Sequence, residues 1–346
     1  MNIKTILLLI SIILVTLVSC NSNEQSVQSN ISYRGVVLYP NDIVSIGSSR
    51  LVQIMSDANL NLLGIHAQHR VENLAALREF IESDQGKVLL EECKNNNISV
   101  EYEVHALEEL LPRDLFTEHP DYFRVDNEGI RVNDFNMCFS SQGAYNEIEK
   151  NLLEITKWLK PTTNRYFFWT DDVKDAFCNC ELCSEYTESE QALMYENKLL
   201  EMLQKVNTEA TVAHLAYHNT LKAPRSVTPK EGVFLEYAPI SRNYSEPLTA
   251  EHKRYLKENL EVFPINTAHL LEYWLDVSMF SGWKKDNWTE IPWNKDYYKR
   301  DIDYYKSLGI TSITSFATWM IHQQYFDLYG EDKAIEILNT YGNILQ

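Results

Sequence analysis

The chain has 346 residues, of which 45% are hydrophobic, and it carries a formal net charge of −18 at pH 7. This acidity argues against nucleic acid and against electrostatic adhesion to anionic lipid, because both partners are themselves negatively charged. The apolar fraction is sufficient for a sizeable core, so we expect one large domain.

The N-terminal residues are typical of a secretory signal. Lys4 gives the positive start, and the apolar stretch over 6–18 is too short to span a membrane. The stretch closes with a serine followed by Cys20, which resembles the lipobox of bacterial lipoproteins. The resemblance implies removal of residues 1–19 and a diacylglyceryl group on Cys20. The alternative is an ordinary signal peptide with an accidental cysteine.

The segment after the signal is polar and rich in Ser, Asn and Gln, so residues 20–33 are predicted to be a lipidated flexible linker. Residues 34–346 then form the single domain. We expect an exported lipoprotein of a Gram-negative bacterium, at the outer membrane or cell surface. It would be a monomer that contacts the membrane only through the lipid on Cys20.

Eight apolar runs alternate with helix-like stretches along the domain. The runs are 35–39, 62–67, 99–106, 166–172, 211–217, 233–239, 268–276 and 312–319. The helix-like stretches include 72–93, 145–159, 190–206, 249–263 and 294–308. This alternation predicts parallel α/β architecture, and eight units of this length predict a (β/α)8 TIM barrel. A doubly wound open sheet is the alternative, but the glycine-rich phosphate loop of that fold is missing after the first run.

Two adjacent carboxylates follow the fourth apolar run. Phe167, Phe168 and Trp169 are typical of a strand buried on both faces, and Asp171 and Asp172 come next. In a parallel barrel such a strand ends at the carboxyl face, where active sites lie. Neighbouring carboxylates there are costly unless one is protonated or both have partners, which is how acid/base pairs are built. The alternative is that one aspartate caps the following helix.

Polar and aromatic residues also end the other apolar runs. A single histidine on a strand is more often a core residue than a catalyst, so the evidence is the convergence of many such positions on one face. The candidate substrate-binding residues are His66, His105, Tyr217, Tyr237, Arg242, Tyr273, Trp274, Asp276 and Trp319. The loop after the seventh run adds Trp283, Trp288 and Trp293, which would form either a sugar platform or a hydrophobic plug on the barrel.

Three cysteines, Cys178, Cys180 and Cys183, follow the carboxylate pair in a C-x-C-x2-C pattern, and Cys138 precedes the fourth run. Three thiols within six residues cannot all pair with one another. With Cys138 as fourth ligand they would complete a closed structural zinc site. A disulfide within the loop or to Cys138 is the alternative, which an exported protein permits. Either arrangement would fix the loop that carries the two aspartates.

Several motifs in this order are familiar. They are His119–Pro120–Asp121–Tyr122–Phe123, Asn136–Met137–Cys138–Phe139–Ser140, the Asp171–Asp172 pair with its cysteines, and Leu271–Glu272–Tyr273–Trp274. Together they resemble the domain-of-unknown-function family 4838 over most of residues 34–330. That family overlaps glycoside hydrolase family 163, which acts as an endo-β-N-acetylglucosaminidase on N-glycans. The resemblance implies a β-N-acetylglucosaminidase-like glycoside hydrolase whose partner is an oligosaccharide or a glycoprotein glycan, with no cofactor for catalysis.

The aspartate pair also resembles that of family 84 β-N-acetylglucosaminidases, and family 20 has Asp-Glu at the matching place. The resemblance implies that Asp171 orients the substrate acetamide and that Asp172 is the acid/base. The mechanism would be retaining and assisted by the 2-acetamido group of the substrate. Tyr273 would hydrogen-bond the acetamide carbonyl, and Trp274 or Trp319 would form the floor of the pocket.

Two other hypotheses remain open at this point. In the first, Glu236 and Glu272 form a conventional acid and nucleophile pair and the substrate needs no acetamide. In the second, the chain is a surface glycan-binding lipoprotein without catalysis. Cleavage of sugars with and without a 2-acetamido group, measured beside binding, separates the three.

Overall fold

The computed structural model describes residues 30–67 and 74–346. Eight parallel strands follow one another in chain order and close into a barrel. The strands are β1 (Tyr33–Leu38), β2 (Leu62–His66), β3 (Ser99–Val104), β4 (Arg165–Phe168), β5 (Thr211–Ala216), β6 (Val233–Tyr237), β7 (His269–Glu272) and β8 (Ser312–Phe316). Each of the eight predicted runs overlaps one strand. The predicted (β/α)8 barrel is therefore confirmed.

Helices surround the barrel. They are α1 (Pro40–Ile46), α2 (Ser48–Asp57), α3 (Leu74–Glu82), α4 (Asp84–Asn95), α5 (Leu107–Leu110), α6 (Gln142–Ile155), α7 (Glu188–Leu203), α8 (Ala250–Leu260), α9 (Val277–Phe280), α10 (Lys295–Ser307), α11 (Gln323–Tyr329) and α12 (Glu331–Leu345). The helix predicted over 72–93 is divided between α3 and α4. The reason is local, because the Ser83 hydroxyl accepts a hydrogen bond from the Gly86 amide at 3.1 Å and starts a new helix there.

The strand register decides which side chains enter the barrel. Glu236 of β6 pairs with His269 of β7, and Glu103 of β3 pairs with Phe167 of β4. Because side chains alternate along a strand, these four point to the same side, which is the barrel interior. All four are fully buried. The interior is therefore partly polar, and this layer contributes two carboxyl groups to it.

A second polar layer lies deeper in the barrel, toward the amino ends of the strands. The Arg165 guanidinium forms an ion pair with Glu101 at 2.6 Å and donates to the Ser312 hydroxyl at 3.0 Å. The ring nitrogens of His269 contact the hydroxyls of Ser312 and Thr314 at 2.7 and 3.0 Å. Burial, and then the Arg165 charge, hold the pKa of His269 well below its usual range, so the ring is neutral.

Residues 1–19 and Cys20 lie outside the described residues, so the predicted signal and lipid attachment stay predictions. Over residues 30–67 and 74–346, the structure has no helix with the length and apolar character that crossing a membrane requires.

Candidate active site

A pocket opens at the carboxyl ends of the strands, where the sequence predicts the site. Its wall is mostly aromatic and imidazole rings, with two carboxylates and three aliphatic side chains. The lining residues are Tyr39, His66, His105, Trp169, Asp172, Leu215, Tyr217, Ile240, Leu271, Tyr273, Asp276, Trp283 and Phe316. Rings beside carboxylates in a concave pocket suit a ligand with apolar faces and hydroxyl edges.

Asp172 is the exposed carboxylate of this pocket, just beyond the end of β4. The Tyr217 hydroxyl, beyond the end of β5, donates a hydrogen bond to Asp172 Oδ1 at 3.2 Å. Burial and the nearby charge of Asp172 raise the pKa of Tyr217 well above its usual range, so the phenol stays protonated and keeps donating. A carboxylate that reaches a pocket and is oriented by a hydroxyl donor can exchange protons with a ligand.

Asp276 is the second carboxylate, and it is buried at 3% exposure. Its Oδ1 accepts hydrogen bonds from the hydroxyls of Ser278 and Thr318, both at 2.6 Å, and from the Met279 amide at 3.0 Å. Burial raises the pKa of Asp276 despite these donors. A carboxyl that is held in this way by three donors is a rigid group at the edge of the pocket.

The two histidines of the pocket have a defined tautomer. His66 Nδ1 lies 2.6 Å from the Glu103 carbonyl oxygen, and His105 Nδ1 lies 2.6 Å from the Thr170 carbonyl oxygen. A carbonyl can only accept, so Nδ1 carries the proton in both rings and Nε2 is the acceptor when the ring is neutral. Both rings pack against Trp169, with centroids 5.7 and 5.0 Å apart. They are therefore held as fixed walls.

Below Trp169, the interior carboxyls Glu103 and Glu236 lie close to each other. The Trp169 Nε1–H donates to Glu236 Oε2 at 2.8 Å, which links the floor of the pocket to the barrel core. Burial raises the pKa of both groups well above the usual range. The charge of Glu101 raises the pKa of Glu103 further, and the charge of Glu103 raises that of Glu236. Oxygens of this pair and a His269 nitrogen lie within 4.8 Å of one another, but both His269 nitrogens already contact hydroxyls. Both Glu103 oxygens and Glu236 Oε1 are buried without a hydrogen-bond partner, so we describe the two groups as interacting buried carboxyls rather than a metal site.

Asp171 does not line this pocket, although its neighbour Asp172 does. It is 5% exposed, forms an ion pair with Arg113, and accepts from the Asn136 amide at 2.5 Å. The Asn136 side chain accepts in return from the Asp171 amide at 3.0 Å. Both aspartates lie beyond the end of β4, where the chain turns as the Val173 amide donates to the Asp171 carbonyl at 2.9 Å, and only Asp172 reaches the pocket. The prediction that Asp171 orients a substrate group is not supported by this placement.

The predicted pair of Glu236 and Glu272 is wrong in its geometry. Glu236 is level with His269, and Glu272 is three residues further along β7, so the two carboxyls face opposite sides of the barrel wall. Glu272 lies under the outer helices, where Arg242 donates to it at 3.1 Å and Tyr305 also donates. It is fully buried and cannot reach a ligand in the pocket.

Three further candidates also lie on the outer side of the wall. Arg242 forms ion pairs with Glu272 and Asp301, and the Tyr237 hydroxyl donates to the His252 carbonyl of α8 at 2.8 Å. The Trp274 ring packs edge-on against Tyr298 of α10 at 4.8 Å. These side chains attach the helices to the barrel, and their prediction as substrate contacts is wrong for the described pocket.

The tryptophans predicted as platform or plug divide between both roles. Trp283 is 51% exposed and lines the pocket, as a platform would. Trp288 stacks on Trp319 with centroids 4.8 Å apart, and Trp293 packs against Tyr298. Trp283 and Trp319 both have left-handed backbones, with φ of 55° and 62°. Such strain in bulky residues is concentrated where loops are shaped for function.

Several lining residues were missed by the sequence reasoning. Tyr39, Trp169 and Phe316 occur in the predicted runs but were assigned only to the core. Alternation along the strands could have identified them, because each lies two residues from a side chain that points into the barrel. Leu215 and Leu271 also point inward, but as aliphatic residues they carry no chemical signal in the sequence.

The four cysteines of the predicted cluster do come together, away from the pocket lining. All four Sγ atoms lie within 4.8 Å of one another, and no disulfide joins them. Cys138 reaches the cluster from the segment before α6, and the other three come from the loop between β4 and α7. The cluster therefore ties that segment to the loop that carries Asp171 and Asp172.

Comparison with known proteins establishes the family. The family described as "Domain of unknown function (DUF4838)" matches residues 82–319, which is more than half of the chain. No curated protein matches this sequence.

Solved structures with a similar fold include β-galactosidases. One from the haloarchaeon Halorubrum lacusprofundi has a TM-score of 0.53 and 11% identity, over 90% of this chain and 57% of that one. Another, from Marinomonas ef1, has a TM-score of 0.52 and 12% identity, over 90% and 59%. Gan42B, a GH42 β-galactosidase from G. stearothermophilus, has a TM-score of 0.51 and 12% identity, over 92% and 58%. This chain therefore spans less than two thirds of their length, and the likeness establishes the barrel fold.

Proposed function

This chain belongs to the DUF4838 family, and from that premise and its pocket we propose that it is a glycoside hydrolase with Asp172 as the general acid/base. The observation that carries the proposal is the placement of Asp172 at the carboxyl face of a TIM barrel. Its carboxylate is exposed in the pocket, accepts a hydrogen bond from Tyr217 and is surrounded by rings. In TIM-barrel enzymes this face is the site of chemistry.

We extend the proposal to a retaining reaction assisted by the substrate's 2-acetamido group. Among the described residues that line the pocket, the carboxylates are Asp172 and Asp276. Three donors fix the Asp276 carboxyl through its Oδ1 at only 3% exposure, so we assign Asp276 to substrate binding rather than to attack. The acetamide oxygen of the substrate then supplies the attack on the anomeric carbon, while Asp172 protonates the leaving oxygen.

The roles of the other groups follow from their positions. Asp276 replaces Asp171 as the proposed acceptor for the acetamide N–H, because Asp276 faces the pocket and Asp171 faces Arg113. Burial, followed by the charges of Tyr217, Glu236, Asp276 and Asp172, raises the pKa of Tyr273 well above its usual range, so its hydroxyl stays a donor suited to the acetamide carbonyl. Trp169 forms the floor in place of Trp274 or Trp319.

The substrate class rests on the motif resemblance to glycoside hydrolase family 163. We propose β-N-acetylglucosaminide linkages in N-glycans as the bonds that are cleaved. The proposed location, a lipid anchor on Cys20 at the outer membrane or cell surface, rests on the sequence alone. A Cys20→Ala variant that still sediments with membranes would contradict the anchor.

The decisive experiment compares aryl β-glycosides that differ only at C2. The protein should cleave the 2-acetamido sugar and leave the 2-hydroxy sugar intact, and a thiazoline that mimics the bicyclic intermediate should inhibit it. Digestion of N-glycoproteins, followed by mass spectrometry of released glycans, then tests the linkage. Equal cleavage of both sugars would reject assistance by the substrate, and binding without turnover would reject the enzyme.

A further inference from the structure

The cysteine cluster has the dimensions of a tetrahedral metal site. Cys138 Sγ lies 3.6 Å from Cys180 Sγ and 4.0 Å from Cys183 Sγ, and Cys178 Sγ lies within 4.8 Å of all three. Four sulfurs at about 2.3 Å from one zinc ion are about 3.8 Å apart along the edges of the tetrahedron. A disulfide needs its two sulfurs at about 2.05 Å, and each pair formed would exclude the others. The spacing therefore fits four separate ligands of one ion.

The backbone around the cluster is shaped by a buried side chain. Gln191 of α7, 3% exposed, accepts from the Cys178 amide at 3.0 Å and donates to the carbonyls of Cys178 and Cys183 at 3.1 and 3.2 Å. The Cys183 amide in turn donates to the Cys180 carbonyl at 3.0 Å, which closes a turn between two ligands. The three loop thiols are thus held in position by groups other than their own sulfurs.

Hydrogen-bond partners of the sulfurs also come from outside the loop. The Val125 amide donates to Cys178 Sγ at 3.4 Å, and the Ser140 hydroxyl lies 3.2 Å from Cys138 Sγ and 3.5 Å from Cys183 Sγ. Outer groups that hydrogen-bond the ligands are a regular part of metal sites, because they orient the ligands and stabilise thiolate charge. These contacts are the supporting shell that a pair of disulfides would not use.

We infer that Cys138, Cys178, Cys180 and Cys183 bind one structural Zn²⁺ ion. Four thiols release four protons to solvent and donate four thiolates to the metal, with no redox change. A set of four thiolates in tetrahedral arrangement selects zinc over hard cations. A surface cleft that includes Cys138, Cys180 and Ser140 gives the ion a path to the site.

The zinc site would stabilise the loop that starts at Asp172. Cys178 is six residues beyond Asp172, and Cys138 is two residues beyond Asn136, which binds Asp171. The ion would therefore fix both segments that hold the aspartate pair, while lying outside the pocket itself. This inference does not depend on the proposed hydrolysis, because its readouts are metal content, spectra and stability.

The test begins with metal analysis of the purified full chain, prepared with a reducing agent and without added metal. We expect about one zinc ion per chain. Replacement by Co²⁺ should give the sulfur-to-metal charge-transfer bands and intense visible bands of a tetrahedral thiolate site. Removal of zinc with a chelator under mild denaturation should lower the Tm, and Zn²⁺ should restore it while Mg²⁺ should not.

Two variants and one control locate the ion. Cys138→Ser and Cys183→Ser should lose bound zinc, whereas Cys93→Ala should keep it, since Cys93 is a buried cysteine of α4 outside the cluster. If the serine variants do not fold, the zinc content and cobalt spectrum of the unaltered chain still decide. A preparation without zinc whose thiols resist alkylation until reduced would overturn the inference in favour of disulfides. Stoichiometric iron, or zinc retained by both serine variants, would overturn it equally.

Discussion

The two sides of the barrel wall use the same kinds of residue for different purposes. On the pocket side, Asp172 and Asp276 meet an open cavity and are oriented by hydroxyl and amide donors. On the outer side, Asp171 and Glu272 are buried against Arg113 and Arg242. The two aspartates of the pair are adjacent in sequence, yet only one faces the cavity.

The difference teaches that the groups a carboxylate meets decide its role more than its position near a strand end. Alternation within the strands turns Glu236 inward and Glu272 outward, whereas beyond the strand ends the loops turn Asp172 and Asp276 to the cavity and Asp171 to Arg113. In the helix layer a carboxylate needs a cation to offset desolvation, and it then fastens an element. In the cavity it can remain exposed and exchange protons with a ligand.

The largest expected effect is on catalysis by the pocket side. Asp172→Asn removes the proposed acid/base, so kcat on substrates with poor leaving groups should fall by roughly 10²–10⁴-fold. Little change in Tm is expected, because Asp172 is exposed. Steady-state kinetics with aryl and natural leaving groups measure this. Glu272→Gln is the matched control on the outer side, and its kcat per folded molecule should stay within a few-fold of the unaltered enzyme.

The next effect is on stability and concerns the outer side. Asp171→Ala leaves the Arg113 guanidinium without its buried carboxylate, which should cost about 3–5 kcal/mol in the free energy of unfolding. Urea denaturation followed by circular dichroism measures this loss. If Asp171→Ala instead keeps its stability and loses only turnover, Asp171 acts on the substrate and the division between the two sides fails.

A pH effect tests the carboxyls beneath the pocket floor. Burial raises the pKa of Glu103 well above 4.5, with Glu101 raising it further and Arg165 opposing. Stability from such a group is fully present below the unfolded pKa and is lost as pH rises through the folded pKa. Glu103→Gln should therefore flatten the fall in unfolding free energy between pH 5 and 8, whose slope is up to about 1.4 kcal/mol per pH unit for one proton.

Urea melts of both proteins at several pH values measure that difference. Glu101, Glu236, Arg165 and His269 face the same interior, and the charge of Glu103 contributes to the raised pKa of Glu236, so the difference between the two curves reports the interacting pair of Glu103 and Glu236. Parallel curves would mean that Glu103 is already ionised in the folded state, and the raised pKa of this buried carboxyl would then be wrong.

The smallest expected effect is at the rim of the pocket. Trp283 is 51% exposed and lines the pocket without packing into the core, so Trp283→Ala should raise KM several-fold with little change in kcat or Tm. Trp293→Ala is the contrasting variant, because Trp293 packs against Tyr298 and should lower the Tm. A Trp283→Ala enzyme with unchanged KM for all oligosaccharide lengths would remove this ring from the binding surface.

The sequence by itself determined the barrel and the face that carries the site. Eight apolar runs predict eight strands because a parallel strand buried on both sides has few polar positions, and each run does overlap a strand. The sequence also predicted that six residues share one site, because the carboxyl ends of parallel strands converge. They are His66, His105, Asp172, Tyr217, Tyr273 and Asp276, and all six line the pocket. The C-x-C-x2-C spacing was enough to mark a cysteine cluster.

Only the tertiary structure decided which strand-end residues turn inward. The roles of Asp171, Glu272 and Trp274 depend on register between strands that are distant in the chain, and on cations and rings supplied by other elements. The tertiary structure also decided which cysteine is the fourth member of the cluster. Cys138 is separated from Cys178 by α6 and β4 along the chain, and the two come together only in the folded protein. The sequence specifies which residues are present. Packing determines which groups surround each residue, and those groups set its pKa, its burial and its role.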